Sequence, residues 1–259
     1  MKNFYATILS LFISGICFSQ TAGLFFSEYA EGSSNNKYLE IYNSSDTEID
    51  LSNYAILGNG NGGPFNDTLR FDDNTMLASQ DVYVIAHAEA DPIILAEADK
   101  VIANPFNNPE GDPDSYIVSF NGDDARAIAK IEGSEFNVID IIGTLSGGDP
   151  GSGWDVAGVT DGTKDHTLIR KSSITFGNSD WVSSAGTSAD DSEWIVKDDL
   201  DWTNIGCHNT ECVSTGPALS GLTASPAFLT NETEIELSVS ITSEVGTVDE
   251  GSVKVKFGT

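Results

Sequence analysis

The chain has 259 residues, and 40 Asp and Glu against 12 Lys and Arg give it a formal net charge of -28. This length exceeds the ~100–150 residues of a typical domain, so one large domain and a smaller piece are expected. The charge repels nucleic-acid phosphates and anionic lipid headgroups, which argues against nucleic-acid or membrane-surface partners.

The first 20 residues have the layout of a secretory signal peptide. Lys2 precedes an apolar run from about Phe4 to Phe18, and small and polar residues follow. The run is too short for a comfortable membrane span, and no later apolar stretch would anchor the mature chain. We therefore expect a secreted or cell-surface protein with no transmembrane segment in its mature form.

Strand signals dominate the rest of the chain, bounded by clusters of Gly, Asn, Asp and Ser. The runs are LFFSEY, KYLEIYN, EIDL, YAIL, VYVIAH, YIVSF, ARAIAKI and NVIDIIG. In KYLEIYN, Leu39 and Ile41 fall on one face. Tyr38, Glu40 and Tyr42 fall on the other, as a half-buried antiparallel strand requires.

One segment carries a convincing helix signal. Asp91 can cap a helix, Pro92 stands at the first helical position, and IILAEADK follows. We therefore predict an all-β fold, a two-sheet β-sandwich with long loops and one short helix, rather than an α/β enzyme fold.

Several motifs follow one another in a fixed order. They are NKYLEIYN, IDLSNYAIL, NGDDARAIAKIEG, NVIDIIGTL, HTLIRK and a Trp-containing segment that ends in NIGCHN. This series, which spans about residues 22–209, resembles the lamin-tail domain in its secreted bacterial form. The resemblance implies an immunoglobulin-like β-sandwich without enzymatic activity. Insertions such as GNGNGGPFNDT and NPFNNPEGDPDSY depart from the compact pattern of that family.

The composition changes from about Val213. STGPALSGLTASPAFLT is poor in charge and is typical of a linker, whereas TEIELSVSIT and GSVKVKFG alternate like strands. Because an immunoglobulin-like domain needs about 100 residues, we expect a longer protein that continues past Thr259. The predicted organisation is a signal peptide (1–20), a lamin-tail-like domain (21–212), a linker (213–222) and an incomplete immunoglobulin-like domain (223–259).

Two cysteines remain after removal of the signal peptide, Cys207 and Cys212. In an oxidising compartment we predict a disulfide between them, which contributes about 2 kcal/mol by closing a small loop. A metal site that includes His208 is the alternative, but it lacks an identifiable fourth ligand.

The sequence contains no GxSxG, Walker A or HExxH motif. GNGNGG at residues 58–63 has the spacing of a dinucleotide-binding loop, but no helix signal follows it, so a phosphate site is not expected. His166 stands next to Asp165, and adjacent strand residues point to opposite faces. We therefore predict that the chain is not an enzyme.

Calcium is the one ion that the acidic loops suggest, because it prefers carboxylate and carbonyl oxygens in flexible segments. Glu110, Asp112 and Asp114 in EGDPDSY are the candidate ligands. The pairs at residues 72–73 and 123–124 are alternatives. None of these segments forms a complete array such as DxDxDG.

Two functions remain open. The first is a non-catalytic extracellular or cell-surface binding or adhesion module that meets a protein or glycan partner. The alternative is an accessory domain of a secreted hydrolase or nuclease whose catalytic domain lies beyond residue 259. A fold alone does not decide between them.

Overall fold

A computed structural model describes residues 23–104, 116–145 and 147–208, together with the backbone of 218–225 and 236–242. Fourteen strands and two α-helices lie in these residues. The first seven strands are β1 (Leu24–Glu31), β2 (Lys37–Asn43), β3 (Ile49–Asp50), β4 (Tyr54–Gly58), β5 (Asp67–Arg70), β6 (Met76–Leu77) and β7 (Val82–His87). The others are β8 (Lys100–Ile102), β9 (Arg126–Glu132), β10 (Glu135–Ile142), β11 (His166–Arg170), β12 (Trp194–Asp198), β13 (Ala218–Ser225) and β14 (Glu236–Thr242). The helices are α1 (Pro92–Glu97) and α2 (Trp181–Ala185).

Two sheets form the sandwich. One has six strands in the order β12-β11-β1-β2-β7-β8, and the other has four in the order β10-β9-β4-β5. All neighbours are antiparallel except β7 and β8, which run parallel. Side chains of both sheets, such as Phe26 and Leu39 from one and Ile56 and Ile128 from the other, share a single hydrophobic core. The predicted all-β sandwich is confirmed.

Local sequence patterns correctly predicted several strands and one helix. KYLEIYN is β2, and VYVIAH is β7. Helix α1 begins at Pro92, and the Asp91 side chain accepts a hydrogen bond from the backbone N–H of Ile93. Helix α2, capped by Asp180, was not predicted because its five residues are too few to show a helical period.

The strand predicted for YIVSF is wrong. This segment forms a turn in which Ile117, Val118 and Phe120 are buried. The carbonyls of Tyr116 and Ile117 accept hydrogen bonds from the guanidinium group of Arg126. The Arg126 side chain thus provides the hydrogen-bond donors that a neighbouring strand would have provided if this segment were a strand.

The half-buried character predicted for β2 is also wrong. β1 and β2 lie in the middle of the six-stranded sheet, and both are buried on both faces. Tyr38 on the outer face belongs to a second apolar cluster with Ile94 of α1, against which Trp202 and Ile205 pack. Helix α1 and the segment 199–208 therefore cover a surface that the alternating pattern assigned to solvent.

A buried ion pair joins the two sheets. Asp140 of β10 accepts hydrogen bonds from the Arg170 side chain of β11 (2.8 Å) and from the N–H groups of Asn178 (2.7 Å) and Phe26 (2.8 Å). The guanidinium carbon of Arg170 lies 4.4 Å from the centre of the Trp194 ring. Both charged side chains are inaccessible to solvent, so Asp140 depends on Arg170 for compensation, and Arg170 pairs with Asp140 and with Glu193 (3.0 Å).

The chain divides into two compact units, residues 1–208 and 209–259. In the second unit β13 and β14 pair antiparallel, from Ala218 opposite Thr242 to Ser225 opposite Glu236. β13 begins within the predicted linker, and GSVKVKFG lies outside the described residues. The domain boundaries stay predictions, as does the signal peptide, since residues 1–22 are not described. Among the described residues no helix has the length and apolar character needed to cross a membrane.

We expect Asp140→Ala to lower the free energy of unfolding by about 3–5 kcal/mol, because it leaves the buried Arg170 guanidinium and two backbone N–H groups short of an acceptor. Urea unfolding followed by tryptophan fluorescence measures the change. Asp73→Ala, which removes an exposed carboxylate, is the control and should lie within about 0.5 kcal/mol of the wild type. Equal stability of the two variants would contradict the role assigned to the ion pair.

Candidate functional site

A polar pocket of about 190 Å³ lies at one end of the four-stranded sheet. At this end β4 finishes, β5 begins and β9 begins, because Gly58 pairs with both Asp67 and Arg126. The lining residues are Asn59, Gly60, Asn66, Asp67, Tyr116, Ser119, Asp124 and Arg126.

The GNGNGG stretch forms the loop between β4 and β5, on one side of the pocket. Asn59 fastens this loop, because its side chain accepts a hydrogen bond from the N–H of Ala125 (2.7 Å) and donates one to the carbonyl of Gly63 (2.7 Å). The N–H of Asn61 donates to Asp124 (2.9 Å). A strand, β5, follows the loop, so the helix N-terminus that a dinucleotide phosphate would need is not there.

Arg126 forms the buried floor of the pocket. Its Nε donates to the carbonyl of Ile117 (2.7 Å), and its Nη1 donates to the carbonyls of Asn59 (3.0 Å) and Ala125 (2.8 Å). Its Nη2 donates to the carbonyl of Tyr116 (2.9 Å). Burial lowers the pKa of Arg126, and nearby carboxylates oppose that shift. Since a guanidinium group has five N–H donors, one N–H on Nη2 is left over.

Two carboxylates and an aromatic ring complete the lining. The half-buried Asp67 side chain accepts no hydrogen bond from the described residues. Burial raises the pKa of Asp67, and the charge of Arg126 opposes this. Asp124 is buried and uses one carboxylate oxygen to accept from Asn61. Tyr116 is 42% exposed at the rim. The pocket therefore places two carboxylates beside a buried guanidinium group.

A second polar cluster lies on the outer face of the six-stranded sheet, where Glu28 and Glu40 are register partners on β1 and β2. Both are fully buried. Each accepts one hydrogen bond from a strand side chain and one from the segment 204–207. The donors are Tyr38 Oη (2.6 Å) and Asn204 Nδ2 (2.6 Å) for Glu28, and Ser27 Oγ (2.6 Å) and Gly206 N (2.7 Å) for Glu40.

The Glu28–Glu40 pair has no basic partner within the described part of the chain. Burial raises the pKa of Glu28 to about 7, and the hydrogen bonds from Tyr38 and Asn204 partly oppose it. Burial and the neighbouring Glu28 raise the pKa of Glu40 as well. The pair therefore retains a proton near neutral pH, which allows two carboxyl groups to stand side by side without a counter-ion.

His208 is the last described residue of the first unit. Its side chain is buried beside two aromatic rings. Its ring lies 4.6 Å from that of Tyr42 and 5.4 Å from that of Phe25. Burial, followed by the charge of Arg170, lowers the pKa of His208 to about 4. Cys212 lies outside the described residues, so the disulfide with Cys207 and the alternative metal site both stay predictions.

The calcium ligands proposed from the sequence, Glu110, Asp112 and Asp114, lie outside the described residues. Among the residues that are described, no group of three or more His, Cys, Asp or Glu side chains is arranged to hold a metal. Residues 72–73 are exposed. His166 Nδ1 contacts the carbonyl of Lys164 (2.6 Å), and no hydrogen bond joins its ring to the neighbouring Asp165.

Residues 18–144 match the family model of the lamin tail domain. This part of the chain is similar to lamin tail domains. The resemblance predicted from the motifs is therefore confirmed. The matched residues include all strands from β1 to β10, and so also the pocket. Lamin tail domains are typically non-catalytic modules.

Among solved structures, the chain is similar to a DUF4876 family protein from Bacteroides thetaiotaomicron VPI-5482. The TM-score is 0.43 at 14% sequence identity, over 68% of this chain and 71% of that one. No curated protein matches the chain.

The sequence pattern did not reveal the main residues of the pocket or of the Glu28–Glu40 cluster. One available signal was the position of Arg126, which shares a strand face with the buried Ile128. Another was Glu40, which stands between Tyr38 and Tyr42 on a face that those two rings make partly apolar. Asp67 and Tyr116 gave no signal, because their neighbours in the pocket come from distant parts of the sequence.

We predict that Glu28→Gln removes a pH dependence of stability. A carboxyl group whose pKa is raised on folding binds more protons in the folded than in the unfolded state, so the wild type loses stability as the pH rises from about 4.5 to 7. The variant should gain about 2–3 kcal/mol relative to the wild type across this window. A glutamine can still accept from Asn204 and can donate to Tyr38 Oη.

Urea unfolding at several pH values measures this difference, and the comparison with the wild type cancels the opposite contribution of His208. Glu48→Gln, which alters an exposed carboxylate, should follow the wild-type profile. Parallel profiles for Glu28→Gln and the wild type would show that the pair holds no extra proton.

Proposed function

We propose that the protein is a non-catalytic extracellular or cell-surface binding module, and that the pocket between the 59–66 loop and Arg126 receives a group of its partner. This proposal rests on which polar atoms of the pocket are already hydrogen-bonded and which are not. The loops around the pocket are fastened by many internal hydrogen bonds. Asp67, in contrast, offers an acceptor that no described residue uses.

The pocket is suited to binding because its walls are preorganised. Arg126 connects the 116–117 turn, the loop at Asn59 and strand β9 through four hydrogen bonds. A rigid site loses little conformational entropy when a ligand enters it. Its volume of about 190 Å³ is below the ~300 Å³ at which pockets for drug-sized ligands begin. One small group of a larger partner therefore fits better than a whole cofactor.

The charge of the chain narrows the choice of partner. A net charge of -28 disfavours nucleic acids and anionic surfaces at physiological ionic strength. An extracellular protein or a glycan is the partner that this proposal implies. The described residues that line the pocket include no His or Cys, so the proposal assigns the pocket to binding and not to nucleophilic catalysis.

The test uses the purified full-length chain, labelled with a fluorophore, and extracellular material from the producing cells. We expect saturable binding that the variant Asp67→Asn weakens by about tenfold or more, as the loss of a half-buried charged acceptor predicts. Asp73→Asn, which changes the net charge equally away from the pocket, should bind like the wild type. Unchanged binding by Asp67→Asn would refute the assignment of the pocket.

We also propose a calcium site in the acidic segment of Glu110, Asp112 and Asp114. At a calcium concentration ten times the Kd, binding to the folded state alone adds about 1.4 kcal/mol to stability. The melting temperature should therefore rise by a few degrees with calcium and fall back with a chelator. In the variant Glu110→Gln/Asp112→Asn/Asp114→Asn the rise should disappear. A midpoint that calcium leaves unchanged in the wild type removes the proposal.

A further inference from the structure

We propose that residues 199–208, named the strap, are a pH-sensitive cover of the six-stranded sheet. The strap is closed over the outer face while the Glu28–Glu40 pair holds protons, and it opens as the pair ionises. This inference concerns a different part of the molecule from the pocket and does not depend on the function proposed for the pocket.

The hydrogen bonds that run from the strap to the central strands end on the carboxyl pair. Asn204 Nδ2 donates to Oε1 of Glu28 (2.6 Å), and the N–H of Gly206 donates to Oε2 of Glu40 (2.7 Å). Two apolar side chains of the strap pack on the sheet beside these bonds. The polar attachment of the strap therefore depends on two titratable groups.

The protonated pair can keep this attachment. Each carboxyl group uses its other oxygen for a hydroxyl group, Tyr38 Oη beside Glu28 (2.6 Å) and Ser27 Oγ beside Glu40 (2.6 Å). A hydroxyl group can accept as well as donate a hydrogen bond, whereas an amide N–H only donates. A protonated carboxyl group can therefore donate its O–H to the hydroxyl oxygen and still accept from the strap.

Closing the strap leaves polar atoms without partners. Among the described residues, six buried side-chain N or O atoms have no hydrogen-bond partner, and they include Nε1 of Trp202, both ring nitrogens of His208 and Oγ1 of Thr167. Thr167 is the register partner of Ala30, which belongs to the apolar cluster under the strap. These atoms regain hydrogen bonds with water when the strap opens, so opening costs less free energy here than in a fully paired region.

The surroundings of the pair offer it no direct positive charge within the described residues. Asp201 of the strap raises the pKa of Glu28 further, and Lys197 of β12 pairs with Asp201 (3.7 Å). The register partners of the pair on the flanking strands are the apolar Val84 and Ile169. The other titratable side chains nearby are Tyr38 of β2, Glu97 of α1 and His208 of the strap.

The closed pair binds more protons than the open pair. Burial raises the pKa of Glu28 to about 7, and burial together with the charge of Glu28 raises the pKa of Glu40. Opening admits water and returns both pKa values towards their ordinary value of 4.5. Because the open state binds fewer protons between these limits, a rise in pH favours it.

His208 acts in the opposite direction below neutral pH. Burial, followed by the charge of Arg170, lowers the pKa of His208 to about 4 from an ordinary value of 6.5. The ring gains a proton on opening between these values, so a rise in pH there favours the closed strap. Above about pH 6.5 the ring is neutral in both states, and ionisation of the carboxyl pair then opens the strap.

The experiment is amide hydrogen exchange of the 15N-labelled full-length chain, followed by NMR between about pH 5 and pH 8.5 and corrected for the intrinsic exchange rate at each pH. The N–H of Gly206 and the indole N–H of Trp202 report opening of the strap, and the amides of β9 report unfolding of the sandwich. We expect both strap signals to be less protected than β9 at every pH. Their protection should fall about tenfold from about pH 6.5 to pH 8.5.

The double variant Glu28→Gln/Glu40→Gln tests the cause. A glutamine can accept from the strap and donate to the hydroxyl group, so it keeps the bonds of the protonated pair without a proton to lose. The wild-type opening constant divided by that of the variant cancels His208, and it should rise about 50-fold from about pH 5 to pH 8. Glu48→Gln/Asp73→Asn, which alters two exposed carboxylates, should stay within about twofold of the wild type.

Three results would overturn the proposal. Strap signals as protected as those of β9 at every pH would show that the strap opens only with the whole sandwich. A ratio of opening constants that does not change with pH would show that the pair does not control the opening. If the double variant does not fold, the wild type still decides, because protection of the Gly206 N–H that stays constant above about pH 6.5 contradicts the proposal.

Discussion

A buried charge without hydrogen bonds costs several kcal/mol, and this cost determines where the loops of the sandwich lie. Arg126 draws in the carbonyls of the 116–117 turn, which then brings three apolar side chains into the core. Asp140 receives N–H groups from β1 and from the loop at Asn178. Glu28 and Glu40 hold the segment 204–207 against the outer face. In each of these places, buried charged or ionisable side chains hold an irregular segment of the chain through hydrogen bonds.

The same arrangement explains why a pocket exists at the loop end. The guanidinium group of Arg126 donates four of its five N–H groups to backbone carbonyls, and it makes no hydrogen bond to the carboxylates of Asp67 and Asp124 beside it. Asp67 is therefore left with unused acceptors at the edge of a fixed floor. A site of this kind needs no rearrangement to bind a partner, which is the general advantage of a binding residue on a rigid sheet.

Sequence patterns predicted the parts of the fold that local rules decide. The alternation in β2 and β7, and the cap and proline of α1, each depend on neighbouring residues. The wrong predictions concern segments whose structure depends on residues that are distant in sequence. Nothing local in YIVSF shows that Arg126 will occupy its carbonyls, and nothing in KYLEIYN shows that residues 199–208 will cover its polar face. The pocket was not predicted because its residues come from three segments that are distant in sequence, 59–67, 116–119 and 124–126.

The Glu28–Glu40 pair also determines how the sandwich would respond to tension. The chain leaves the described part of the first unit at His208, directly after the segment that these two carboxyl groups hold. This segment is covalently joined to the edge strand β12 and hydrogen-bonded to β1 and β2 in the middle of the six-stranded sheet. Central strands are bonded on both sides and resist extraction better than an edge strand, so these hydrogen bonds would transmit part of a pulling force to the strands that are hardest to remove.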